Sequence, residues 1–138
     1  MMLKQLSIVD LISAVQQQIE KNTKYKCYDF YPKRAKSPFY IAELYESVPN
    51  NSKTTYRTSY TLNIHAISSP SESTVELYDM IQSLDEALTE DIELPDGYQM
   101  VAQMNMGVNA IYYEEETDER HAVIKYQFMV AYGYTVKE

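Results

Sequence analysis

Two histidines, His65 and His121, are the groups in this 138-residue chain that would titrate near neutrality. Acid–base work would need such a group beside a carboxylate or a nucleophile. Each lies on the polar side of an alternating, strand-like stretch. His121 follows Glu119 and Arg120 at what reads as a loop edge, an arrangement more typical of solvated surfaces than of catalytic dyads. Cys27 is the single cysteine, so no internal disulfide and no multi-cysteine zinc cluster can form, and a small buried hydrophobe is a simpler reading of it than a nucleophile. The run Glu114-Glu115-Glu116-Thr117-Asp118-Glu119 lacks the alternating Asp and Asn ligands and the central Gly that bend a calcium loop, so it reads as a solvated hairpin tip. There is no glycine-rich phosphate loop, Gly-x-Ser-x-Gly elbow or His-Glu-x-x-His pair. The expectation is a protein that is not an enzyme, with no catalytic residue, no metal and no cofactor.

The elements that carry these residues follow from periodicity. Ile8, Leu11, Ile12, Val15 and Ile19 recur at helical spacing, Ser7 can cap the helix start, Asp10 favours its first turn, and Leu6 with Leu11 can staple the chain's approach. An aromatic stretch over Tyr25–Tyr31, closed by Pro32, reads as a first strand, and Phe39–Tyr45 as a second that ends at the turn Pro49-Asn50-Asn51-Ser52. Tyr56, Tyr60, Leu62, Ile64 and Ala66 alternate with polar residues in a third. Ser69-Pro70-Ser71-Glu72 reads as a capping box opening a second helix, with Leu77, Ile81, Leu84 and Leu88 on its apolar stripe and an end near Glu90. Tyr98, Met100, Ala102, Met104, Met106 and Val108 alternate in a fourth strand, and Ala122 through Tyr134 in a fifth, antiparallel to it around the acidic run. The order α-β-β-β-α-β-β predicts an α+β fold: one mostly antiparallel or mixed sheet with two helices on one face, and a single domain over 1–138.

Twelve basic against twenty acidic residues leave a net charge of −8, which disfavours a grip on nucleic acid. The charge is uneven. Residues 1–36 carry +4 and residues 37–138 carry −12, so opposed patches could dock copies head to tail, the contact that closes rings. Fourteen tyrosines exceed what one sheet face can bury. Tyr56, Tyr60, Tyr98, Tyr126, Tyr132 and Tyr134 fall on apolar strand faces, whereas some of Tyr25, Tyr28, Tyr31, Tyr40 and Tyr45 should meet a partner. The interface candidates are the basic loop with Lys33, Arg34 and Lys36 and the acidic run with Glu114, Glu115, Glu116, Asp118 and Glu119. No apolar run approaches the roughly 20 residues that span a bilayer, and Ser7 and Asp10 interrupt any signal-like start, so no membrane is expected.

One succession of motifs resembles a known family. An N-terminal amphipathic helix, then Tyr28-Asp29-Phe30-Tyr31-Pro32, then Pro38-Phe39-Tyr40-Ile41, then a long strand ending Leu62-Asn63-Ile64-His65-Ala66-Ile67-Ser68 before a helix and a closing hairpin, is similar to the tail terminator and tail-completion proteins of long-tailed phages and prophages, of the lambda type. The resemblance covers nearly the whole chain. It implies a structural, non-catalytic virion protein that forms a hexameric ring, caps the polymerised tail tube and joins it to the head. Its implied partners are further copies of itself, the major tail tube protein and a head-completion or connector protein. DNA would pass through the ring without being bound by sequence, and the place would be the host cytoplasm during assembly and then the virion tail.

Two other readings stay open. One is a small acidic inhibitor of the immunity type, docking a basic partner on Glu72, Glu76, Asp79, Asp85 and Glu86; the other is a neighbouring head-completion or minor tail protein. If the charged loops are contacts, reversing the charge of the basic loop Lys33 to Lys36, or of the acidic loop Glu114 to Glu119, weakens assembly more as salt is lowered, because exposed pairs are screened within about 10 Å at 0.1 M salt. Sedimentation across a salt series reads this, and equal assembly of variant and parent at low salt would refute it.

Overall fold

Ser7 sets the first boundary. Its hydroxyl accepts the Asp10 N–H at 3.0 Å, and helix α1 runs Ile8–Asn22, closed by Lys21 in its last turn and by the Thr23 N–H on the Ile19 carbonyl. Leu6 and Leu11 are both buried, as an entry staple requires. The structure is a computed structural model that describes residues 2–134. Met1 and residues 135–138 lie outside it.

The strands are β1 (Lys26–Tyr28), β2 (Phe39–Pro49), β3 (Thr55–Ile67), β4 (Gln99–Glu114) and β5 (Glu119–Tyr134), with helix α2 (Val75–Ala87) between β3 and β4. They form one sheet in the order β1-β2-β3-β5-β4. β1 runs parallel to β2 and every other pair is antiparallel, so the sheet is mixed and the fold is α+β as expected. The two helices share one face. α1 lies against β1 and β2, and α2 against β3 and β5.

Alternation explains the core between them. Tyr40 and Ala42 of β2, Tyr60, Leu62, Ile64 and Ala66 of β3, and Ala122, Ile124, Tyr126, Phe128 and Val130 of β5 meet Leu11, Val15 and Ile19 of α1 and Leu77, Met80 and Leu84 of α2. Two tyrosine hydroxyls of this core find partners: that of Tyr40 donates to the Met80 carbonyl at 2.6 Å, and that of Tyr60 to the Leu6 carbonyl at 2.7 Å. Gln18 ties the helices together by donating to the Ala87 carbonyl at the end of α2. The opposite face carries a smaller cluster, Phe39, Ile41 and Ile67, partly roofed by Tyr28 and Ala35.

Several boundaries differ from the sequence reading. α2 does not open at the Ser69–Glu72 box but at Val75, and Thr74 makes no side-chain cap. The Ser69 N–H instead donates to the carboxylate of Glu76, one turn later, while the Ser71 and Ser73 hydroxyls hold the loop N–H groups of Ser73 and Val75. The helix ends at Ala87 rather than near Glu90. β1 shrinks to three residues, because α1 side chains occupy its outer edge: Glu20 accepts the Cys27 N–H and Gln16 donates to the Cys27 carbonyl. β2 runs on through Pro49, and the turn falls beyond it. Proline is tolerated there because nothing pairs with the outer side of that half of β2.

Leu84 is fully buried between helix and sheet, so Leu84→Ala should cost about 2–5 kcal/mol in urea unfolding. Tyr40→Phe, which deletes only the hydroxyl bonded to Met80, should cost about 1 kcal/mol. Equal losses for the two would contradict this packing.

Candidate functional site

β4 is the strand the helices leave uncovered. Its alternation predicts a buried stripe, yet Met104, Met106, Val108, Ile111, Tyr112 and Tyr113 are each between 42 and 52 % exposed. The pairing with β5 explains the difference. Three register shifts interrupt it, between Met100 and Ala102, Asn105 and Gly107, and Val108 and Ala110, so side chains change face along the strand. At the middle shift Gly107 has φ +104°, a left-handed conformation only glycine adopts cheaply, and the Asn105 side chain accepts its N–H at 2.7 Å. Two polar tethers hold β4 in place. Gln103 bonds the carbonyls of Leu88 and Glu90 and the N–H of Ile92, and Asn105 donates to Asp85 and to the Tyr126 hydroxyl.

Beyond the last shift, Ile111–Glu114 pairs regularly with Glu119–Ala122 and ends in the acidic hairpin. Glu115, Glu116 and Asp118 are exposed there, as expected of a charged tip. Glu119 is not. It is 9 % exposed, across from half-buried Glu114, with its carboxylate 3.8 Å from the His121 Nε2. The hairpin turns at Asp118, whose φ of 58° is left-handed, and the Tyr113 hydroxyl donates to the Asp118 carboxylate. The Arg120 guanidinium sits 5.1 Å from the centre of the Tyr113 ring.

The histidines have more company than their sequence neighbours suggest, because β3 lies beside β2 and β5 beside β4. His65 Nε2 lies 2.7 Å from the Glu43 Oε1, and His121 Nδ1 lies 3.0 Å from the Tyr112 hydroxyl. Both line a cavity of about 240 Å³ on the helix-free face, bounded also by Asp29, Phe30 and Tyr31. His121 is buried with no hydrogen bond to Nε2, and burial moves its pKa below the ordinary imidazole value while Glu119 and Glu114 pull it back up. Cys27 is buried, and burial followed by the Glu20 charge pushes its thiol up to about 12, an unreactive state. Among the described residues, no group of three or more His, Cys, Asp or Glu could hold a metal ion.

Lys33, Arg34 and Lys36 are exposed on the loop between β1 and β2, which crosses the helix-free face; Ala35 packs toward Phe39, Ile41 and Ile67. The structure thus sets this loop and the acidic hairpin at the same end of the sheet, where β1, β2 and β5 begin, and makes no ion pair between them among the described residues. The tyrosines divide as well. Tyr25, Tyr40, Tyr60 and Tyr126 are buried, and Tyr31, Tyr45, Tyr78, Tyr112, Tyr113 and Tyr134 are exposed. The α2 carboxylates proposed as an inhibitor's docking face are largely occupied: Glu76 by the Ser69 N–H, Asp79 by the Tyr25 hydroxyl, Asp85 by Asn105 and Glu86 by Gln82.

What this geometry presents is an uncovered sheet edge of apolar and aromatic side chains beside a charged hairpin. Residues 2–138 match a phage tail terminator family model described as "Putative tail termination protein", and the chain belongs to that family. The family is one of structural virion proteins, so the resemblance in the sequence holds. Among solved structures the chain is similar to one from the virion of a native gene transfer agent particle, with 17 % identity and a TM-score of 0.69 over 89 % of this chain and 96 % of that one, a likeness of fold. No curated protein matches.

His121 supplies a pH test. Its pKa is lowered in the fold, so below about 6.5 the unfolded chain binds a proton that the folded chain resists, and stability is present above that value and lost as the pH falls through it toward the folded value. Urea unfolding of the parent should therefore weaken from pH 7.5 to 5.5 by more than that of His121→Asn. Identical slopes would contradict the burial of a neutral imidazole.

Proposed function

We propose that the protein ends the phage tail: a ring of copies, six in number, caps the polymerised tube, stops its growth and offers the surface that meets the head. The family match over residues 2–138 carries this reading. The uncovered edge of β4 supports it, since a run of exposed apolar and aromatic side chains beside a charged hairpin is the composition of an interface and not of a catalytic cleft. On this reading the neighbours are other copies of the chain, the major tail tube protein on one side and a head-completion or connector protein on the other. The protein acts in the virion tail after assembly in the host cytoplasm. Its net charge of −8 suits a conduit, because an acidic wall repels the phosphate backbone and lets DNA pass without being held.

The acidic-inhibitor reading loses ground for a specific reason. A mimic of nucleic acid needs carboxylates free to meet a basic partner, and four of its five candidates on and before α2 are engaged within the chain. A neighbouring junction protein would share most of the surface features, so the decisive observation is what the tail does without the chain. Deleting its gene from the producing phage and viewing the particles by electron microscopy should give tails of uncontrolled length without heads. Tails of normal length joined to heads would refute the proposal.

A further inference from the structure

The pairing register puts five residues in one row across the end of the sheet: Lys26 of β1, Phe39 of β2, Ile67 of β3, His121 of β5 and Tyr112 of β4. The row spans about 19 Å, four inter-strand steps, and its two ends differ in charge. At the β1 end exposed Lys21, Lys24 and Lys26 outnumber exposed Glu20 and Asp29, and Phe30, 62 % exposed, lies beside Tyr28 at the margin of the cavity on the helix-free face. At the β4 end, Ile111 and Tyr113 are exposed and lead into exposed Glu115 and Glu116. Both edges therefore carry apolar area next to charge of opposite sign, at the same height on the sheet.

We infer that these two edges dock on each other between neighbouring copies of the chain, Lys24 and Lys26 of one copy against Glu115 and Glu116 of the next, with Phe30 beside Ile111 and Tyr113. The inference rests on the ring reading above and names its contact. Opposite edges of one sheet make a head-to-tail contact, which closes into a ring when each copy is rotated from the last by a fixed angle. Edges at one height allow that rotation about an axis roughly along the strands, without a rise that would turn the ring into a filament. The contact is made by side chains and does not extend the ladder. Glu20 and Gln16 already hold the outward N–H and carbonyl of Cys27, so β1 offers no backbone row for a strand to join. The aromatic and aliphatic groups supply buried area, and the charges set the orientation and reject like edges.

A charge exchange tests it on the full chain. Lys24→Glu with Lys26→Glu makes both edges acidic, and Glu115→Lys with Glu116→Lys makes both basic. Each double variant should self-associate about ten-fold more weakly than the parent at low salt, by sedimentation at up to millimolar protein. An equimolar mixture of the two should regain the parent's association, because every junction in an alternating ring again joins opposite charges. The chain carrying all four changes should do so alone. Unchanged heat-denaturation midpoints of the monomers separate the effect from misfolding. A parent that stays monomeric, variants that associate like the parent, or a mixture that stays apart would overturn the contact. Failure here alongside normal tail termination would remove these edges without removing the tail function, and success here alongside unchanged tails on gene deletion would do the reverse.

Discussion

Two helices are too narrow for five strands. Packed side by side at about 8–10 Å, they cover roughly 20 Å, whereas five strands at about 4.8 Å need nearer 24 Å. Here α1 takes β1 and β2, α2 takes β3 and β5, and β4 lies beyond both. The core is correspondingly complete over the first four strands in the sheet order, with Leu62, Ile64 and Phe128 fully buried, and thins abruptly at the last. β4 stays attached through its ladder with β5, through Met100 at the margin of the core and through the side chains of Gln103 and Asn105.

That shortfall shapes the rest of the surface. An uncovered edge strand with a regular ladder invites indiscriminate pairing, and the three register shifts with Gly107 make most of β4 irregular enough to blunt it. Only Ile111–Glu114 keeps a regular course, and it leads into the charged hairpin. The far edge is closed differently, by Glu20 and Gln16 of α1 on Cys27. A protein that must assemble in one geometry gains from edges that are specific in charge and closed to open-ended strand addition, which fits membership of a family of tail termination proteins.

Much of the architecture is legible in the sequence. The Ser7 cap with Asp10, most of the apolar stripe of each helix and the alternation of β3 and β5 depend on neighbours along the chain and appear in the structure, although Ile8 is exposed and Leu88 falls just past the end of α2. Failures came where a distant group competes. The Ser69–Glu72 box has the right letters, but Glu76 reaches the Ser69 N–H first. The Met and Val alternation of β4 looks like core because nothing local tells that the helices stop at β5. Glu119 looked solvated within a run of acids, and its burial depends on His121 and on the strand pair that closes over it. Likewise His65 and His121, 56 positions apart in sequence, come to line one cavity only because β3 pairs with β5. The basic and acidic loops were correctly seen as exposed at Lys33, Arg34, Lys36, Glu115, Glu116 and Asp118, but sequence could not say that they share one end of the sheet.

The central claim is that β4, left bare by the two helices in the single chain, is covered by a partner in the assembly. Met104 and Met106, 42 and 50 % exposed, report on this directly, since exposed thioethers are oxidised to sulfoxides and buried ones are protected. Mild peroxide treatment of the free chain and of assembled tails, followed by mass spectrometry of the β4 peptide, measures both rates against buried Met80 as the internal reference. The account predicts that oxidation of Met104 and Met106 slows several-fold on assembly toward the Met80 rate. Rates unchanged between free and assembled protein would mean that the edge stays open, and would contradict it.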